Sequence, residues 1–66
     1  MKTYKCFVLD AAFHIGERLS IDCASDEHAI RAAAGILERR TDMATIEVWT
    51  GTRLVQRVAR AKQVSG

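Results

Sequence analysis

Residues 25–40 read S-D-E-H-A-I-R-A-A-A-G-I-L-E-R-R, and this stretch decides the fold because it is the one segment with sustained helical spacing. Ser25 offers a side-chain oxygen at the N-cap position, Asp26 and Glu27 suit the positive end of a helix dipole, and Arg39 and Arg40 suit its negative end. The spacing predicts a helix over about 26–40. Ile30, Ala33, Ala34 and Leu37 fall at i, i+3, i+4 and i+7, which makes them the predicted buried stripe, and Glu27 and Arg31 stand one turn apart on the other side. A further row, His28, Ala32, Gly35 and Arg39, lies away from that stripe. Gly35 weakens a helix interior by about 1 kcal/mol relative to Ala, which points either to a close approach by another backbone or to a tolerated glycine on a solvated face.

On both sides of the helix the period changes from 3.6 to 2. Residues 3–10 (T-Y-K-C-F-V-L-D) and 15–23 (I-G-E-R-L-S-I-D-C) are runs of strand length, the second with Ile15, Leu19 and Ile21 alternating against Gly16, Arg18, Ser20 and Asp22. The connector 11–14 has no Asn-Gly type turn, so a loop of about four residues is expected. That register sets Cys6 opposite Leu19 and Tyr4 opposite Ile21. Downstream, 44–50 places Ile46 and Val48 on one face and Glu47 and Trp49 on the other, Thr50-Gly51 turns the chain, and 53–59 (R-L-V-Q-R-V-A) makes a fourth strand. Residues 61–66 are expected to be a flexible tail.

Two hairpins joined by a helix pack most simply as an α+β domain of ββαββ type, residues 1–60, with a four-stranded antiparallel sheet in order 2-1-3-4 and the helix on one face. The first strand supports its central place. Tyr4, Cys6 and Val8 are apolar on one side, and Phe7 and Leu9 are apolar on the other. One helix covers one face only, so Phe7, Leu9 and Trp49 are expected on the uncovered face, with Arg53 and Arg57 beside them, as a contact surface.

Sixty-six residues allow a single domain, and one of this size buries only about 60% of the surface that its unfolded chain exposes. Small domains draw extra stability from disulfides, a metal or a partner subunit. The two cysteines, Cys6 and Cys23, lie too far apart in the predicted register for a disulfide or a shared metal. Cys6, His14, Cys23 and His28 match no paired-ligand spacing for zinc, so no cofactor is expected and a second copy of the chain is the expected partner, a dimer being favoured. The short apolar run 6–13 is broken by Asp10 and is neither an export signal nor a membrane anchor. A cytoplasmic setting with reduced thiols is expected.

Catalytic signatures are absent. Cys23 precedes a helix start and has His28 nearby in sequence, an arrangement that can lower a thiol pKa, yet no CxxC or other nucleophile pattern accompanies it. No phosphate-loop, dinucleotide, nucleophile-elbow or zinc-protease pattern occurs. The carboxylates Asp10 and Glu17, or Asp22 and Asp26, would meet only if loops folded back, and their plain role is in turns and caps. All eight Asp/Glu but only six of the ten Lys/Arg lie in residues 1–52, which leaves Arg53, Arg57, Arg60 and Lys62 unopposed in sequence. That basic last strand, beside Phe7 and Trp49, is the basis of a nucleic-acid alternative. The same arginines also serve to protect a sheet edge. The expected function is a non-enzymatic interaction or regulatory module that acts through its sheet face and basic last strand, two copies either stacking sheet on sheet or pairing edge strands into a longer sheet.

The segments Y-K-C-F-V-L-D at 4–10, S-D-E-H-A-I-R-A-A-A at 25–34 and I-E-V-W-T-G at 46–51 together resemble a group of short uncharacterised bacterial proteins of alpha-proteobacterial type. The likeness runs from Tyr4 to about Val58. It implies the same ββαββ domain and brings no activity to any residue.

Overall fold

A computed structural model describes residues 1–60 of the chain; the tail expected at 61–66 lies outside them. The elements are β1 (Lys2–Leu9), β2 (Ile15–Cys23), α1 (Asp26–Arg39), β3 (Thr45–Thr50) and β4 (Arg53–Ala59). All neighbouring strands are antiparallel in the order β2-β1-β3-β4, and the helix packs on one face, as the alternation and the single amphipathic segment require. Tyr4 faces Ile21 and Cys6 faces Leu19.

Beneath the helix, Tyr4, Cys6 and Val8 of β1 and Ile46 and Val48 of β3 are fully buried. They form one cluster with Cys23, Ala29, Ala33 and Leu37, edged by Leu19, Ile21, Ala32, Ile36, Met43, Val55 and Val58. The helix is rotated relative to the expected stripe. Ala29, Ala33 and Leu37 are its buried residues, whereas Ile30 and Ala34 are only half-buried. The helix N-terminus explains the rotation. The hydroxyl of buried Tyr4 donates to Asp26 Oδ1 at 2.6 Å and Arg53 Nη2 donates to Asp26 Oδ2 at 3.2 Å, which turns Asp26 toward the sheet and brings Ala29, Ala33 and Leu37 down after it. Ser25 Oγ caps the helix by accepting from the His28 amide at 3.2 Å. At the other end Arg60 donates to the carbonyls of Leu37, Arg40 and Met43, satisfying acceptors that a helix C-terminus leaves open. A Cβ on Gly35 would have open space around it, so among the described residues no close approach accounts for that glycine.

The β1–β2 connection is tighter than expected, with three loop residues, 11–13. Asp10 and His14 close it through Asp10 N to His14 O at 3.0 Å, with Phe13 N to Asp10 O at 2.9 Å. Asp10 leaves the strand to organise the turn: its Oδ1 accepts from the amides of Ala12 and His14, each at 2.9 Å. Those bonds, His14 foremost, hold its carboxyl below the usual range. Two bulges bend the sheet. Val8 pairs with Glu17 and Leu9 with Ile15, leaving Gly16 extra; Val48 pairs with Gln56 and Trp49 with Leu54, leaving Val55 extra.

Candidate functional site

The face opposite the helix is read directly from the pairings. One row across the strands is Ser20, Lys5, Trp49 and Leu54; the next is Arg18, Phe7, Glu47 and Arg57; the third is Ile15, Leu9, Thr45 and Ala59. Phe7, Leu9, Trp49 and Arg57 therefore share this face. Arg53 does not join them: it pairs with Thr50 next to the tight turn, and its guanidinium reaches back to Asp26 at the start of the helix.

Glu47 is the residue that sequence patterning undervalued. Only 16% of its side chain is exposed, and its carboxylate is fully engaged. Trp49 Nε1 donates to Oε1 at 3.2 Å, while Arg57 Nε and Nη2 both donate to Oε2, at 3.0 and 2.8 Å. A carboxylate in such partial burial is tolerated because charged and neutral donors meet it together. The signal was present in Glu47 and Trp49 alternating two residues apart on the same side of one strand. It is a clamp that fixes the indole and the Arg57 guanidinium, and with Arg53 bonded to Asp26 neither arginine of the last strand is free.

Leu9 is 5% exposed and floors a shallow depression of about 460 Å³ lined by Phe13, Ile15, Glu47 and Arg57. A smaller one of about 200 Å³ lies among Lys5, Phe7, Arg18, Leu19 and Ser20. Of the large apolar side chains left exposed among the described residues, Phe13 (65%), Ile15 (47%) and Leu54 (39%) all border this face; Met1 is the other. Phe13 stands there at a backbone φ of 64°, a left-handed conformation that the third position of such a loop normally gives to glycine. Phe13→Gly is expected to leave the fold unchanged or more stable by up to about 1 kcal/mol, the relieved strain being offset in part by the freer unfolded chain. Urea denaturation at low protein concentration checks this, and a clear loss of stability would show that the ring packs within its own chain.

The residues considered for chemistry are dispersed or engaged. Cys23 and Cys6 are buried and unlinked, and burial raises the Cys6 thiol above its ordinary pKa, which opposes thiolate chemistry there. His28 is exposed on the helix. Asp22 accepts from Thr3 Oγ1 at 2.8 Å, Glu17 is bonded by Arg40, and Asp10 and Asp26 serve the turn and the helix start. No two of these carboxylates form an acid–base pair. Among the described residues no group of three or more His, Cys, Asp or Glu is placed to hold a metal ion, and no helix is long and apolar enough to cross a membrane. No protein-family model, curated protein or solved structure matches the chain.

Proposed function

We propose that the chain is a non-enzymatic interaction module that works as a homo-oligomer, with a second copy covering the open face of the sheet. The observation that carries this reading is the position of Phe13, Ile15 and Leu54, exposed around half-buried Phe7 and Trp49 on the one face that the helix leaves uncovered. A standard interface takes about 800 Å² from each partner, roughly a sixth of the chain's 4627 Å², and a face three rows deep and four strands wide is the broad surface able to supply it. Covering that face adds to a small core the apolar burial that a lone 66-residue domain lacks. The nucleic-acid alternative relied on Arg53 and Arg57, and both are paired with carboxylates, while Arg60 is spent on the helix end. Among the described residues, Lys5 and Arg18 are the cations left on the face.

Light scattering across a dilution series tests the proposal. The wild-type chain should exceed its single-chain mass of 7.3 kDa, and Trp49→Ala or Leu54→Ser should weaken the assembly about tenfold or more, as for a central aromatic or a well-packed aliphatic contact. A single-chain mass at every concentration overturns it. Retention of that single chain on heparin at low salt, lost steeply as salt rises, would instead favour nucleic acid.

A further inference from the structure

We infer that β2 is a second self-association surface, on which the edge strands of two copies pair antiparallel about a two-fold axis at Ser20. The inference rests on the reading that the chain self-associates, but it uses a different part of the molecule from the open face. Its basis is the unequal treatment of the two sheet edges. An edge strand exposes a row of unpaired backbone N–H and C=O groups, and proteins blunt such edges with bulges, short strands and charge. β4 is blunted in this way: it carries two arginines, Arg53 and Arg57, and a bulge at Val55 that breaks the regular row of backbone groups which pairing with another copy would need.

β2 is the longest strand of the sheet, Ile15–Cys23, and lies at the other edge. Its one irregularity, Gly16, lies at its start, and residues 17–23 pair with β1 without interruption. The midpoint of that regular stretch is Ser20. Antiparallel pairing of β2 with itself about this midpoint sets Ser20 against the partner's Ser20, Leu19 against the partner's Ile21, Arg18 against the partner's Asp22 and Glu17 against the partner's Cys23. The two-fold operation then repeats each of the unlike pairs.

The charges and the apolar residues agree with this register independently of its midpoint. Arg18 and Asp22 are on the open side of the sheet, opposite Phe7 and Thr3 respectively. Among the described residues Arg18 has no carboxylate partner in its own chain, and Asp22 uses Oδ1 for Thr3, so its other oxygen is available to a guanidinium. Leu19 and Ile21 are on the helix side, half-buried at the margin of the core cluster, and each gains an apolar cross-strand neighbour. Shifting the register by one residue exchanges the faces and loses both matches. Two chains joined in this way form a continuous eight-stranded sheet with both helices on one side, so that the two open faces lie side by side. The face contact then stacks one such sheet on another.

Charge reversal tests the register, again by light scattering over a dilution series, with far-UV circular dichroism to confirm folding. Arg18→Asp and Asp22→Arg each turn two attractive pairs into two repulsive ones and should weaken the edge contact about 30-fold, halving the assembly's mass in a concentration range where the wild type is whole. The double reversal Arg18→Asp with Asp22→Arg restores opposite charges in the same register and should recover the wild-type mass. Hydrogen exchange adds a second readout: alternate amides in residues 17–23 should become protected as concentration rises. Single reversals without effect on mass, unchanged exchange along β2, or a double reversal no better than the singles would each overturn the edge contact. If Trp49→Ala still dissociates the assembly in any of these cases, the face contact stands alone. A wild-type chain that is single at every concentration overturns both.

Discussion

Ile46→Ala is expected to cost the fold about 2–5 kcal/mol, whereas Ile30→Ala, the same chemical change on the helix, is expected to cost less than about 1 kcal/mol. Ile46 is completely buried between Val8 and Val58 in the sheet register and belongs to the central cluster. Truncating such a side chain removes its transfer energy and leaves a cavity, together about 2–5 kcal/mol. A chain of this length has a total stability of roughly 3–10 kcal/mol, so about a fifth of it is lost at the least and all of it at the most. A fall in melting temperature of about 10 °C or more follows, because small domains shift by about 4–8 °C per kcal/mol. Ile30 is half-buried and outside the cluster, and alanine has the better helix propensity. Thermal unfolding of the two variants at one fixed protein concentration, so that assembly does not differ between samples, makes the comparison. Equal losses would mean that Ile30 faces the core and that the helix sits in the rotation its sequence spacing first indicates.

That contrast locates what the sequence made legible and what it did not. Strand identity follows from alternation, strand order from the one strand that is apolar on both sides, and the Tyr4–Ile21 and Cys6–Leu19 pairings from loop length together with alternation. The helix ends were readable from Ser25, Asp26 and the closing arginines, for capping is a local matter. The rotation of the helix was not readable. With Ala29, Ala32, Ala33 and Ala34 in one segment, neighbouring stripes are almost equally apolar, and the choice between them falls to a hydrogen bond from Tyr4 to Asp26 across 22 residues. The same holds for charge. Arg53, Arg57 and Arg60 look unopposed when charges are summed along the chain, yet the fold brings each to its own acceptor: Asp26, Glu47 and the carbonyls at the helix C-terminus. Long-range pairing of this kind has no signature in a local window. Phe13 was hidden for a different reason, since an aromatic residue in a glycine position contradicts the usual turn chemistry.

Tyr4 makes that long-range contact measurable, because it is the chain's one tyrosine and its ionisation can be followed by phenolate absorbance without overlap from another. The hydrogen bond to Asp26, reinforced by burial and by the Asp26 charge, raises the phenol from its ordinary 10.0 to about 12. The partner moves the other way: the Tyr4 hydroxyl, followed by Arg53, holds the Asp26 carboxyl below its ordinary value of 3.8. The fold thus prefers protonated Tyr4, so this contribution to stability is complete below pH 10 and is lost between about pH 10 and pH 12 as the unfolded chain's phenol ionises first. The Cys6 thiol, also raised, brings the start of the alkaline decline down toward the ordinary thiol range. Asp26 prefers the ionised state when folded, so its contribution is present above the ordinary carboxylate range and lost as pH falls through it. In the native chain phenolate absorbance should therefore appear only near pH 12, and in urea near pH 10. Asp26→Asn removes the negative charge and should bring the native transition toward pH 10 while abolishing the acid-side loss due to this residue. A native transition already at pH 10, with circular dichroism still that of the folded chain, would sink the Tyr4–Asp26 contact and with it the explanation for the helix rotation.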